Sequence, residues 1–404
     1  TGETWKKADK DNVDKTNPWY SYNSSGEYKG MWANAVTVTE NSRSTYLNAE
    51  PGTIVSMDDI TTMWVWIPRF NAVTPSGYNG GTQDNPGAID VTFVKANETA
   101  IDAFTFGNKN LSGFWYAKFE TSHTTLASST TANNLGCTNE TCSNANGIII
   151  KPNVTSLRYN SVSNFFFASR SMEQTGNSFG FVSSEVDTHM SKNNEWGAVA
   201  YLTQSIYGRC TSSTTCTEVY INNSSGMYTG RSGGNIGGST PINGTYTDQT
   251  STTQYNSYGF YTYDDYLLNY NTNTKGNKVK GKGTGASTTG TIYCLYDMSG
   301  GSGEYVMGVR ADSNGNPLSG STSVSNSGFT GLLYNDGDPE LYTGIPFPDS
   351  KYYNLYTGTS YTGHALTEIS NWYWSSYRFV SGYGPWFVRG DNYLDFLSGL
   401  FSFY

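Results

Sequence analysis

The sequence predicts a loop-rich α+β fold. Three observations carry that expectation. Apolar runs with strand-like alternation are short and scattered between long polar loops. Only one segment shows a clear helical stripe. The apolar share of the 404 residues is low, at 36%, while aromatics reach 15% with 32 Tyr. A core of Tyr, Trp and Phe follows, because each buries much area and keeps a polar tip for a hydrogen bond.

Taken in order, residues 1–30 are polar and irregular and read as an amino-terminal junction or stalk. From Met31, MWANAVTV alternates like a strand. In MDDITTMWVWIPRF, Asp58 or Asp59 is placed to cap a short helix, and WVWIPRF reads as a strand ended by Pro68. Val91–Lys95 and Gly113–Phe119 read as further strands. Met190–Leu202 is the helix, with Trp196, Val199, Ala200 and Tyr201 on one stripe and Gly197 weakening it. Residues 222–290 form a long Gly-, Ser- and Thr-rich stretch, the mark of an insertion or functional region. Ile292–Val309 then enters as a strand, turns at Gly300, Gly301 and Gly303, and leaves as another strand.

Charge excludes some partners. The net charge of −9 and sparse Lys and Arg argue against nucleic acid, which needs clustered cations. The one basic run, Lys275–Lys282, sits among Gly and Asn as a solvated loop. No apolar run is long enough to span a bilayer, and Thr1 is no initiator, so the chain reads as a mature or trimmed product. Membrane attachment is expected only through a segment before it, with the domain displayed outside the cell.

Five cysteines fit an oxidising compartment. Cys137 with Cys142, and Cys210 with Cys216, close short polar loops as local disulfides do. The rival is zinc, although the spacing is wider than the usual CxxC. Cys294 is left over in an apolar run and reads as a buried, inert thiol.

The carboxy-terminal segment, about 371–404, has a frame of Trp372, Trp374, Ser375, Ser376, Trp386, Arg389, Gly390 and Gly399. Positions of varied chemistry lie between them. From Tyr377 onward there is no Lys, Glu, Gln or Met, and Trp386 is the only Trp. Those residue types are missing when the first two bases of an AAC-type codon are randomised. The three indoles are expected to be core anchors. Tyr373, Tyr377, Arg378, Phe379, Val380, Tyr383, Val388, Asp391, Asn392, Tyr393, Leu394, Asp395, Phe396, Leu397 and Ser402 are then expected to face outward. Exposed Tyr, Phe and Leu make an interaction patch, and Tyr and Arg are usual hot-spot types. The competing possibility is that Leu394, Phe396 and Leu397 are strand residues of the core.

Catalytic readings are weaker. Asp187-Thr-His189 lacks a nucleophile motif and reads as a hydrogen-bonded His before a helix. Asp58 with Asp59, or Glu195 with Glu304, are candidate carboxylate pairs for glycoside hydrolysis. Neighbouring Asp58 and Asp59 point apart, and Glu195 and Glu304 are better placed to pin irregular backbone by hydrogen bonds. For calcium, Asp312, Asn314 and Asn316, and then Asn335, Asp336, Asp338 and Glu340, offer oxygen-rich runs that are also ordinary turns.

Five segments, WVWIPRF (64–70), GFWYAKFE (113–120), NEWGAVAYL (194–202), CLYDMSGGSGEYVMG (294–308) and PWFVRG (385–390), together resemble the formylglycine-generating-enzyme branch of the C-type lectin fold. The chain is most similar there to bacterial surface proteins whose lectin-like ends are diversified by retroelements. Many of those look pilin-like at a junction matched here by Trp19-Tyr20, Tyr22 and Trp32-Ala33-Asn34-Ala35-Val36. The resemblance covers about residues 17–404. It implies a domain over 31–404 that is non-catalytic and binds macromolecules through a variable end, with Arg378 and Asp395 tuning charge. A different class of function, a pilus-like filament subunit, uses the same patch for packing. The enzyme activity is not implied: its copper site needs carboxy-terminal cysteines, and none follows Cys294. The turn differs at Gly301, Ser302 and Gly303 before Glu304-Tyr305, the late "RGG" becomes Arg389-Gly390-Asp391, and the usual closing strand is not recognisable before Tyr404.

Overall fold

A computed structural model describes residues 5–8, 33–131, 133–219, 221–222, 226–230, 266–267, 278–279, 287–289, 294–321, 327–335, 338–392 and 398–404. The fold is mixed and loop-rich, with three α-helices and many short strands among the described residues. Most strands pair only as two-stranded ribbons. Two three-stranded sheets organise the rest.

The first sheet places Ile60–Pro68 between Ala33–Val38 and Gly113–Ala117, antiparallel to both. Its central strand alternates as the sequence reading anticipates: Met63, Val65 and Ile67 are fully buried, while Trp64 and Trp66 on the opposite face are half-buried. Trp66 meets Trp115 edge to face at 5.3 Å. Gly113 is fixed by this contact, since a Cβ there would sit 2.4 Å from the Trp66 ring. Pro68 closes the strand. The short helix expected after Asp58 or Asp59 is absent; residues 57–59 form a turn, and Asp59 instead accepts a hydrogen bond from Tyr46 Oη at 2.6 Å.

The second sheet has Glu304–Arg310 at its centre, parallel to Asn354–Tyr356 and antiparallel to Trp386–Arg389. Helix Asn193–Thr203 packs near it. The stripe read from the sequence widens to the whole circumference, because every residue of this helix is buried. Several of its polar groups are hydrogen-bonded inside the protein, although Asn193 Oδ1 and Asn194 Oδ1 have no partner among the described residues. Asn193 Nδ2 donates to Tyr356 Oη at 2.7 Å, and Glu195 Oε2 accepts from the Lys192 amide at 2.8 Å. Gly197 is a requirement of close approach here: an added Cβ would lie 2.6 Å from the His364 carbonyl.

Two helices escape the sequence reading. Val162–Ser171 is capped by Ser161, whose side chain accepts from the Asn164 amide. It buries Val162, Phe166 and Phe167. Glu40–Leu47 buries no residue at all, so it has no apolar stripe to betray it. The disulfides Cys137–Cys142 and Cys210–Cys216 each clamp a two-stranded ribbon, and Cys294 is a buried free thiol. Most of the 1–30 junction and of the 222–290 stretch lies outside the described residues, although Trp5–Lys6 pairs with Ile54–Val55. Among the described residues, no helix is long and apolar enough to cross a membrane.

Candidate binding face at the carboxy-terminal segment

The end of the chain extends the second sheet. Strand Trp386–Arg389 pairs Val388 with Tyr305 and Arg389 with Glu304. On its other side Arg389 bridges to Phe403. Val388 and Tyr404 exchange amide-to-carbonyl hydrogen bonds at 2.8 and 3.1 Å. Side chains alternate across a strand, so two rows result. The inner row is Glu304, Arg389 and Phe403. The outer row is Tyr305, Val388 and Tyr404, with both tyrosines exposed and Val388 half-covered. Arg378 then donates its amide to the Phe403 carbonyl at 2.7 Å, and Tyr377 bridges to Phe403, which adds residues 376–378 at the edge.

The inner row is unusual. Arg389 is fully buried, lies over the Trp196 and Phe403 rings at 5.7 and 5.5 Å, and donates Nη2 to the Ala365 carbonyl at 2.8 Å. Burial lowers its pKa to about 10, so it stays charged at neutral pH. Glu304, half-buried, groups with two buried carboxyls, Glu120 and Asp297. Burial, reinforced by the other two, raises Glu304 well above the ordinary carboxyl range, against the pull of Arg389. Glu120 shifts the same way, and Asp297 is pushed up to about 7 by burial despite donors from Gly230, Asn222 and the Glu120 amide. Glu120 itself accepts from Ser156 Oγ and, at 2.8 Å, from the Ser302 amide. The Gly-rich turn is what makes room: a Cβ on Gly301 would lie 2.4 Å from Glu120 Oε1.

The structure divides the expected binding residues. Tyr377, Arg378 and Tyr383 are exposed, and Phe379, Val388 and Asn392 are half-covered. Tyr373, Val380, Asp391 and Ser402 are corrections, because all four are buried. Tyr393, Leu394, Asp395, Phe396 and Leu397 lie outside the described residues. The frame needs one correction too. Trp372 and Trp386 are buried anchors, but Trp374 is 41% exposed while neighbouring Tyr373 is only 2% exposed. The backbone explains this exchange. Asn371, Tyr373 and Trp374 all take left-handed φ angles of 68°, 51° and 62°, which breaks the two-residue alternation assumed from sequence. Tyr373 thereby turns inward to stack on Phe401 and to accept from Gln204 Nε2 at 3.1 Å. Trp374 swings out and donates Nε1 to Asp84 at 2.6 Å.

Three further exposed tyrosines were invisible to the sequence reading. Tyr305 and Tyr404 complete the outer row only once the register is known. Tyr334 is brought to Tyr383 by a fold contact, as a Cβ on Gly382 would lie 2.6 Å from its ring.

The candidate catalytic residues make the following contacts. His189 Nδ1 pairs with the Asp187 carbonyl at 2.8 Å and Nε2 with Glu195 at 3.1 Å. Burial opposes charge on this ring, but Glu195 overcomes it and holds the pKa above its usual value. Glu195 is thus engaged by both His189 and the helix start, as expected of a backbone-pinning residue. Glu304 is not, for its Oε2 is closed off with no hydrogen-bond partner. Asp312 accepts from the Asn314 and Asn316 amides at 2.9 and 2.8 Å, forming a closed turn. Asp336 and the side chains of Asn335 and Asp338 lie outside the described residues. No family model matches the chain, and no curated protein matches it.

Proposed function

We propose that this chain is a surface-displayed, non-catalytic binding protein of the C-type lectin fold that recognises a macromolecule through its carboxy-terminal face. One observation supports this above the others. A single strand ladder separates an inner row (Glu304, Arg389, Phe403), in which Arg389 and Phe403 are fully buried, from an outer row carrying exposed Tyr305 and Tyr404. Outer side chains on such a ladder can change without repacking the core, while the inner row holds the backbone. Tyr377 and Arg378 sit at the edge of the same ladder, and exposed Tyr with Arg is the composition of recognition surfaces. The two disulfides accord with an oxidising compartment and hence with display outside the cell.

The test is comparative capture. Immobilised wild type and a variant with Tyr305, Tyr377 and Tyr404 changed to Ser are exposed to solubilised surface proteins and glycans of neighbouring cells. This reading expects a species retained by the wild type and lost by the variant. Identical retention by the two would contradict it.

A further inference from the structure

The two outer strands of the first sheet bring an amine and a carboxamide together. Asn34 pairs with Val65, and Val65 with Tyr116, so these three residues share one face of the sheet. Lys118 follows Tyr116 by two residues and keeps the register, its amide donating to the Met63 carbonyl at 3.0 Å. Its side chain therefore lies on that face too, with the fully buried Met63 and Val65. There Lys118 Nζ donates to Asn34 Oδ1 at 2.9 Å and to the Cys294 carbonyl at 2.8 Å, with the Tyr296 ring centre 5.6 Å away. Lys118 is only 1% exposed.

Asn34 Cγ sits one carbonyl bond behind Oδ1, within about 4 Å of the amine and close to the spacing of a reacting pair. Burial lowers the Lys118 pKa from 10.5 to about 8. The neutral, nucleophilic amine is then about 300-fold more abundant at neutral pH than on an unperturbed lysine. Burial also excludes the water that would compete for Cγ. We propose that Lys118 and Asn34 join in an isopeptide cross-link within the chain. Nζ attacks Cγ, the Nζ–Cγ bond forms and the Cγ–Nδ2 bond breaks. The proton shed by Nζ passes to Nδ2, which leaves as ammonia. One amide replaces another, so the step needs neither oxidant nor reductant. The Cys294 side chain interacts electrostatically with this amine and is the group assigned to carry that proton. The bond ties Ala33–Val38 to the end of Gly113–Ala117 across Ile60–Pro68, whatever the carboxy-terminal face binds.

Mass spectrometry of the purified full chain, reduced and denatured after incubation at mildly alkaline pH, tests it. Most of the population is expected to be lighter than its sequence by one ammonia. A tryptic digest is expected to hold Asn34 and Lys118 in one branched peptide, with no cleavage after Lys118. Lys118→Arg and, separately, Asn34→Ala are expected to restore the full mass. A wild-type population mainly at full mass overturns the proposal, and so does a deficit that maps elsewhere or persists in K118R. If neither variant folds, the wild-type digest decides alone, and separate peptides carrying Asn34 and Lys118 overturn it.

Discussion

Glu304 and Arg389 stand directly opposite each other on paired strands, yet neither completes its hydrogen bonding. Glu304 Oε2 lacks a donor, and Arg389 Nε and Nη1 lack acceptors. The arginine is instead held by two aromatic faces and one carbonyl. Its flat guanidinium is what fits between rings, and an ammonium does not stack in that way. Arg389→Lys should therefore destabilise the chain despite conserving charge, and Arg389→Ala should cost about 3 kcal/mol or more. Chemical denaturation midpoints check both.

The three clustered carboxyls, Glu120, Asp297 and Glu304, predict a pH dependence. Each has a raised pKa in the folded chain, so the folded state holds protons that the unfolded state releases. Their stabilising contribution is complete below the unfolded values and is lost as pH rises through the folded ones. For Asp297 that window runs from 3.8 to about 7. The melting temperature should fall across that range. Glu120→Gln removes one of the mutually repelling charges and should flatten the fall, as thermal melts at several pH values will show. A wild-type melting temperature that climbs towards neutrality would count against the raised pKa values of these carboxyls.

The exchange of Tyr373 and Trp374 gives a paired test. Tyr373→Ala empties a core position and should cost about 3–5 kcal/mol. Trp374→Ala removes an exposed ring and one hydrogen bond to Asp84, and should cost about 1 kcal/mol. The sequence alone assigns these sensitivities the other way round, so the relative denaturation midpoints discriminate.

Gly197 supplies a prediction whose sign is informative. In an open helix, Gly→Ala stabilises by about 1 kcal/mol. Here the new methyl would meet the His364 backbone, so Gly197→Ala should destabilise by about 1–3 kcal/mol. A melting temperature above that of the wild type would mean that the helix and the 364 loop are not in contact.

How much was legible follows from which forces act locally. The strands Ala33–Val38, Ile60–Pro68 and Gly113–Ala117, and the helix Asn193–Thr203, announce themselves because burial imposes its own period on the residues. The disulfide partners are legible because each pair is close in sequence. Helix Glu40–Leu47 is not, since nothing on it is buried. The outer row is not either: Tyr305 and Tyr404 are far apart in sequence and become neighbours only through Val388. Positive φ at three of the four residues 371–374 hides the true orientation of Tyr373 and Trp374, because no side-chain pattern records a backbone reversal.

The central claim is that the outer side of this ladder is adjustable while the inner side is fixed. Sequencing the gene across many isolates tests it most directly. Replacements should concentrate at exposed positions such as Tyr377, Arg378 and Tyr383, with Trp372, Trp386, Arg389 and Phe403 unchanged. Replacements spread evenly over the chain, or as frequent at those four buried positions as at the exposed ones, would contradict the account.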